Sequence, residues 1–146
     1  MVASSLRHPI TLGDKTYQVS PLDDDSLIAL DEYVRAKFVA RTAPLIEALK
    51  SEKDKQLAFA VAFRQSFALT WLSGEGAKTI GTVDGMAHLL YEGVRKNHPE
   101  VTVEELRRAL FDPVNVRKAN AVFTELNTDR PAAEQPGASN DPKAHA

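Results

Sequence analysis

Histidine is the residue type in this chain that is best suited to acid–base chemistry or metal binding. It occurs four times, as His8, His88, His98 and His145. No two of them are four residues apart, the spacing that places two imidazole rings on one face of a helix. A zinc site needs three or four converging donors, and the chain offers no cysteine. We therefore expect no metal site, no cofactor and no catalytic residue.

His98 lies in the stretch Lys-Asn-His-Pro-Glu, between two helical patterns. A residue that precedes proline is pushed out of the helical region, so Pro99 predicts the end of a helix at Asn97 and His98. Thr102 and Glu105 then have the spacing of a capping box, which begins the next helix. We interpret His98 as the polar end of a helix. A small enzyme or regulator that uses His98 and the nearby acids is an alternative.

Two other stretches have the residue types of ligand sites but not the spacing. Residues 74–79, Gly-Glu-Gly-Ala-Lys-Thr, differ from a phosphate-binding loop because Ala77 precedes Lys78 and Leu72 occupies the position of the first glycine. We interpret them as a turn. The run Asp23–Asp25 points its carboxylates in different directions, so we interpret it as a helix cap rather than a cation site.

The composition is that of an ordinary soluble protein. The chain has 146 residues, of which 43% are hydrophobic and 26% are charged, which suits one domain with a substantial core. The net charge of −2 gives no reason to expect nucleic acid or an anionic membrane as a partner. There is no signal-peptide pattern and no apolar run of about 18 residues. We expect a cytosolic protein that is neither secreted nor embedded in a membrane.

The first predicted element is a β-hairpin over residues 10–19, around a Gly13–Asp14 pair that suits a type II′ turn. A two-residue loop gives the hairpin one apolar face, formed by Ile10, Leu12, Tyr17 and Val19. A lone hairpin is barely stable in water. We therefore expect this face to pack on the helices that follow.

Apolar residues at helical spacing predict about six helices after the hairpin. Their predicted starts are Asp23–Asp25, Thr42 with Pro44, Ser51, Thr82 with Asp84, Thr102, and Asp112–Pro113. The second helix is short and ends at Leu49, and the third ends at Gly74 and Gly76. The fourth helix is predicted to bury Met86, Leu89, Leu90 and Val94.

These elements together predict a mainly α fold in which the N-terminal hairpin packs on a compact bundle of about five to six helices. We place this single domain at residues 1–127. Residues 128–146 contain three prolines and no large apolar residue. Such a segment cannot bury enough surface to offset the entropy of ordering, so we predict a disordered tail.

The third predicted helix has the widest apolar surface. Phe59, Phe63, Phe67 and Trp71 follow one another at four-residue spacing, which places them along one side of a helix. Core packing is the ordinary explanation for such a stripe. The alternative is that part of the stripe binds an amphipathic helix of another protein. On that alternative these four residues are the candidate partner-binding residues.

Two stretches of the chain follow recognisable sequence patterns. The first is ITLGDKTYQVSPLDDDSLIALDEYV, which is similar to a T-hydrophobic-G-G-K-x-Y-x-V-x-P-L hairpin that leads into a helix. Asp14 stands at the second glycine of that pattern. The second is HLLYEGVRKNHPEVTVEEL, which is similar to an apolar helix, a basic pair, an N-H-P-x-hydrophobic-T-x-E-E-hydrophobic turn and the next helix. Together they resemble the tail assembly chaperones of long-tailed bacteriophages and prophages, over about residues 10–110.

The resemblance implies a helical factor of the bacterial cytoplasm that coats the tape-measure protein, keeps it soluble and is displaced as tail-tube subunits assemble. Tape-measure proteins are rich in long amphipathic helices, so such a chaperone needs an exposed apolar groove. The third predicted helix is our candidate, with Phe59, Phe63 and Trp71 as anchors. The alternative is a structural virion protein, such as a head–tail connector or tail-completion protein. Homo-oligomerisation is left open by the sequence.

Overall fold

The computed structural model describes residues 7–128 of the chain. An antiparallel hairpin comes first, with β1 at His8–Leu12 and β2 at Lys15–Val19. The helices that follow are α1 Asp24–Glu47, α2 Glu52–Ser66, α3 Gly74–Ile80, α4 Val83–Val94, α5 Val103–Ala109 and α6 Pro113–Thr128. The prediction of a mainly helical fold with an N-terminal hairpin is confirmed.

The hairpin has the predicted register and the predicted apolar face. Ile10 pairs with Tyr17 and Leu12 pairs with Lys15. Gly13 has a φ of +69° while Asp14 does not have a positive φ, as a type II′ turn requires. The four residues of the apolar face, Ile10, Leu12, Tyr17 and Val19, are all buried. The two strands pack on α6 and α4 respectively.

Helix α4 is the centre of the hydrophobic core. It packs against β2, α1, α3, α5 and α6. The residues predicted to be buried on it, Met86, Leu89, Leu90 and Val94, are all buried. Its start is also as predicted, because the Thr82 hydroxyl accepts a hydrogen bond from the Gly85 amide at 3.0 Å.

Helix α1 does not break where the sequence suggested. It runs without interruption through Pro44 to Glu47, so the separate short helix predicted from Thr42 to Leu49 is wrong. Thr42 is not a cap, because its hydroxyl donates to the carbonyl of Phe38 one turn earlier. Pro44 is exposed and lies within a turn of the helix end. The carbonyl that it leaves without an intrahelical donor belongs to Ala40, which is also exposed.

Helix α2 is separated from the core. Among the described elements, α1 is the only one against which α2 packs extensively. We call residues 38–66, which comprise the C-terminal part of α1 and all of α2, the arm. Of the two explanations for the apolar surface of this helix, packing in the centre of the core does not hold, since α4 has that position and the only buried residue of α2 is Ser66.

The chain after α2 differs from its prediction as well. Helix α2 ends at Ser66, and Gly74 and Gly76 begin α3 instead of ending the preceding helix. The Ser73 hydroxyl caps α3 by accepting from the Gly76 amide at 3.1 Å. A side chain at position 76 would collide with the carbonyl oxygen of Thr70. Residues 74–79 are therefore a short helix at a close backbone crossing, and the prediction of a turn is wrong.

The last two helices begin as predicted. The Thr102 hydroxyl accepts from the Glu105 amide at 3.1 Å, and the Asp112 carboxylate accepts from the Val114 amide at 3.0 Å. Helix α6 includes Thr128, one residue beyond the predicted domain end. The rest of the predicted tail lies outside the described residues. None of the helices within residues 7–128 is long and apolar enough to cross a membrane.

Candidate interaction surface

Small residues attach α2 to α1. The half-buried Lys55, Ala58 and Ala62 and the buried Ser66 recur at three- and four-residue spacing, so they form one face of α2. Lys55 also lies 3.9 Å from Glu47 of α1. Because this inner face consists mainly of small side chains, the two helices are joined without burying any large side chain of α2. The large apolar residues of α2 therefore lie on its other faces.

Three phenylalanines form a continuous exposed row on α2 and its C-terminal cap. Phe59, Phe63 and Phe67 are 58%, 54% and 62% exposed. The ring centroids of Phe59 and Phe63 are 6.2 Å apart, and those of Phe63 and Phe67 are 4.8 Å apart. We call this row the phenylalanine ladder. It is about 12 Å long and leaves roughly 350 Å² of aromatic surface in solvent, a patch size that often marks a binding site.

A second apolar stripe lies on the other side of the same helix. Leu57 is 64% exposed and Val61 is 46% exposed. Each lies about 160° around the helix from the phenylalanine two residues later. No charged residue occurs between Gln56 and Phe63. Helix α2 is therefore apolar on faces that α1 does not cover, whereas an ordinary surface helix has a polar outer side.

An open cleft adjoins the ladder at the tip of the arm. It has a volume of about 450 Å³ and lies between the end of α1 and the start of α2. Its walls are formed by Ile46, Glu47, Glu52, Lys55, Gln56 and Phe59. The lining thus combines apolar and aromatic side chains with charged ones. This combination suits a helix that inserts apolar side chains and keeps its polar side in water.

Trp71 does not belong to the ladder. The chain leaves the helix at Phe67, so the four-residue spacing no longer places Trp71 on the same face. The Trp71 side chain is half-buried and packs against the hydrophobic core. Its backbone amide donates to the Asp31 carboxylate at 2.9 Å. We therefore restrict the candidate surface to Phe59, Phe63 and Phe67 and regard Trp71 as the point where the arm rejoins the core.

His98 and Asn97 bind the outer edge of the hairpin. The His98 Nε2 atom accepts from the Gln18 amide at 2.8 Å, and the Asn97 side-chain amide donates to the Gln18 carbonyl at 3.0 Å. Both backbone groups that Gln18 turns away from β1 are thereby paired. Covering an exposed strand edge in this way prevents it from pairing with another chain. The arrangement agrees with a structural position for His98 just after the end of α4.

A group of polar side chains around Asp84 joins three helices. The Asp84 carboxylate accepts from the Tyr33 hydroxyl of α1 and, at 2.8 Å, from Nε of Arg107 of α5, while the Lys37 ammonium lies 3.3 Å away. Burial disfavours the ionised form of Asp84. The hydrogen bonds from Tyr33, Arg107 and Lys37 outweigh that effect and lower the pKa of Asp84 to about 2. From the sequence alone, Asp84 was assigned only to the start of a helix.

The other histidines have ordinary surroundings. The His88 ring stacks on Tyr33 at 4.1 Å between centroids. Burial lowers the pKa of His88, and the nearby Asp84 charge offsets this only in part. His8 lies 3.1 Å from Glu125, and His145 is outside the described residues. Within residues 7–128, no group of three or more histidines and carboxylates is placed to hold a metal ion.

Comparison with protein-family models, with curated proteins and with solved structures finds no match to this chain.

Phe59, Phe63 and Phe67 were already candidates from the sequence, but the cleft beside them was not. Its residues Ile46, Glu47 and Glu52 were not considered. A usable signal was present, because Ala58, Ala62 and Ser66 mark the one side where a neighbour approaches closely. The run from Gln56 to Phe63 shows in addition that the middle of α2 has no charged side chain on any face.

Proposed function

We propose that this chain is a tail assembly chaperone of a long-tailed bacteriophage or prophage, which binds and solubilises the tape-measure protein in the bacterial cytoplasm during tail morphogenesis. The observation that carries the proposal is the exposed phenylalanine ladder, Phe59, Phe63 and Phe67, on a helix that buries none of its own large apolar residues. The family resemblance over about residues 10–110 supplies the identity of the partner.

The mechanism follows from the position of the arm. A helix of the tape-measure protein lays its apolar side along the ladder, which removes aromatic and aliphatic surface from water on both partners. Each newly exposed helix of the partner is shielded in the same way until tube subunits replace the chaperone. Because the ladder lies outside the core, the occupant can bind and leave while the core remains folded.

The test is co-expression of the full chain with a tagged helical fragment of the tape-measure protein from the same phage. We expect the chain to co-purify with the fragment and to keep it soluble. The double variant Phe59→Ser/Phe63→Ser is expected to lose both effects. The matched control is Leu57→Ser/Val61→Ser, which removes equally exposed apolar residues from the other stripe of the same helix and is expected to retain capture.

Two results contradict the proposal. Equal capture by the ladder variant and the control would show that the ladder is not the binding surface. A defined ring oligomer that is incorporated into finished particles would identify a structural virion protein, such as a connector, because a chaperone is absent from the mature virion. Circular dichroism of each variant checks that α2 remains helical.

A further inference from the structure

The tip of the arm has an unequal set of charges beside the ladder. Glu47 and Glu52 are highly exposed and share one cation, Lys55, whose ammonium lies 3.9 Å from Glu47 and 3.4 Å from Glu52. All three residues line the cleft that Phe59 also lines. Two carboxylates therefore face one ammonium, and this end of the ladder has an excess of one negative charge.

The other charged residues of the tip do not cancel this excess on the ladder side. Lys53 lies about 100° around the helix from Glu52, and Asp54 lies about 200° from it. Neither residue lines the cleft. Lys50 lies in the connection between α1 and α2, and it does not line the cleft either.

The stretch beyond the tip has the opposite character. From Gln56 to Phe63 the helix has no charged residue for about two turns. An occupant of the ladder must therefore be apolar along these two turns, because a charge placed there would lose its water without gaining a partner. A charge on the occupant is accommodated at the tip, where exposed carboxylates remain available.

We propose that the segment bound by the ladder is an amphipathic helix with a lysine or arginine one to two turns beyond its apolar stripe, and that this cation lies against Glu47 and Glu52. The inference rests on the proposed function for the location of the binding surface, and it adds the chemistry and the orientation of the occupant. The cation fixes which end of the bound helix points towards the tip. Without it, the three phenylalanines would accept an apolar stripe in either direction.

The test uses two synthetic amphipathic peptides of about 18 residues, long enough to be helical. They share one apolar stripe and differ only in a lysine or a glutamate placed one to two turns beyond the end of that stripe. Binding to the full chain is measured by fluorescence anisotropy. We expect the lysine peptide to bind about fivefold more tightly, since attraction in one peptide is replaced by repulsion in the other. The preference should shrink at high salt.

The double variant Glu47→Gln/Glu52→Gln is expected to bind both peptides with similar affinity. Glu104→Gln is the control, because it removes an exposed carboxylate that is paired with arginines on α5; it should keep the full preference. Equal binding of the two peptides to the unmodified chain, a preference that survives in the double variant, or binding of neither peptide would each overturn the proposal.

The outcome is separable from that of the proposed function. Equal binding of both peptides together with capture of the tape-measure fragment rejects the charge assignment alone. A clear lysine preference without capture of the fragment rejects the tape-measure partner and leaves the assigned chemistry of the surface in place.

Discussion

Helices α2 and α4 have similar lengths, 15 and 12 residues, but opposite relations to the rest of the molecule. Helix α4 places Met86, Leu89, Leu90 and Val94 among five neighbouring elements. Helix α2 is extensively packed on α1 alone and exposes its phenylalanines. An apolar helix without surrounding neighbours contributes little to the stability of the fold. The apolar side chains of α4 are explained by the core, whereas for those of α2 we propose a binding partner.

The two helices also differ in when their apolar side chains contribute to stability. In the core, burial of apolar side chains stabilises the folded state directly. In the arm, apolar side chains stabilise the protein only when another molecule covers them. Substitutions that are costly in the core should therefore be tolerated in the arm, and substitutions that abolish binding should leave the core intact.

The largest expected contrast compares one side chain from each region. Leu90 is fully buried, and Leu90→Ala should lower the free energy of unfolding by about 3 kcal/mol, since it leaves a cavity. Phe63→Ala should lower it by about 1 kcal/mol or less, because Phe63 is largely exposed. Chemical denaturation followed by the fluorescence of Trp71, the single tryptophan, measures both. Equal losses would mean that the arm is already covered in solution by another copy.

The next largest effect on stability is expected in the group of polar side chains around Asp84. The pKa of Asp84 is lowered from 3.8 to about 2 in the folded chain, so its ionised form stabilises the fold by roughly 2 kcal/mol above pH 4. Since the folded pKa is the lower one, this contribution is present above pH 4 and is lost as the pH falls towards 2. Asp84→Asn should therefore be less stable than the unmodified chain at pH 7 and approach it at pH 2. Denaturation at both pH values tests this, and a constant difference would contradict it.

Local signals account for what the sequence predicted well. The Gly13–Asp14 turn sets the hairpin register, and Thr82 and Thr102 cap helices within three residues. Such interactions involve neighbours in the chain, so their residue types and spacing are visible in the sequence. The alternation of apolar residues in the strands is equally local, and it correctly predicted the buried face of the hairpin.

The errors share a different cause. Apolar spacing on α2 showed that the helix has an apolar side, but it did not show whether this chain covers that side. Helix α1 tolerates Pro44 because this residue lies close to the helix end. That tolerance depends on access of solvent to the Ala40 carbonyl, which Pro44 leaves without a donor. The hydrogen bonds of Asp84 join it to Tyr33, 51 positions away in the sequence, and to Arg107, 23 positions away. Packing over such distances has no short-range pattern.

A smaller effect is expected at the edge of the hairpin. His98→Ala removes the acceptor of the Gln18 amide and should cost about 1 kcal/mol. His98→Gln should recover part of this, because its carbonyl oxygen can accept the same hydrogen bond. Thermal unfolding provides the measurement, and peptide binding to the ladder should be unchanged in both variants. Loss of binding with normal stability would instead favour a functional role for His98. It would also contradict the idea that binding depends on the arm and stability on the core.

The smallest expected change in global stability belongs to Pro44→Ala, which tests whether the arm unfolds separately from the core. The alanine restores the amide that can donate to the Ala40 carbonyl and should stabilise the end of α1 by about 1 kcal/mol, less than in the middle of a helix. If the arm opens on its own, this gain appears as roughly fivefold slower hydrogen exchange of amides in residues 38–66, while exchange in α4 and the melting temperature stay the same. If arm and core unfold as one unit, the melting temperature rises and exchange slows throughout. The first result is expected, because α2 depends on α1 for its extensive packing. A segment that opens locally can adjust to a bound helix without a loss of stability in the core.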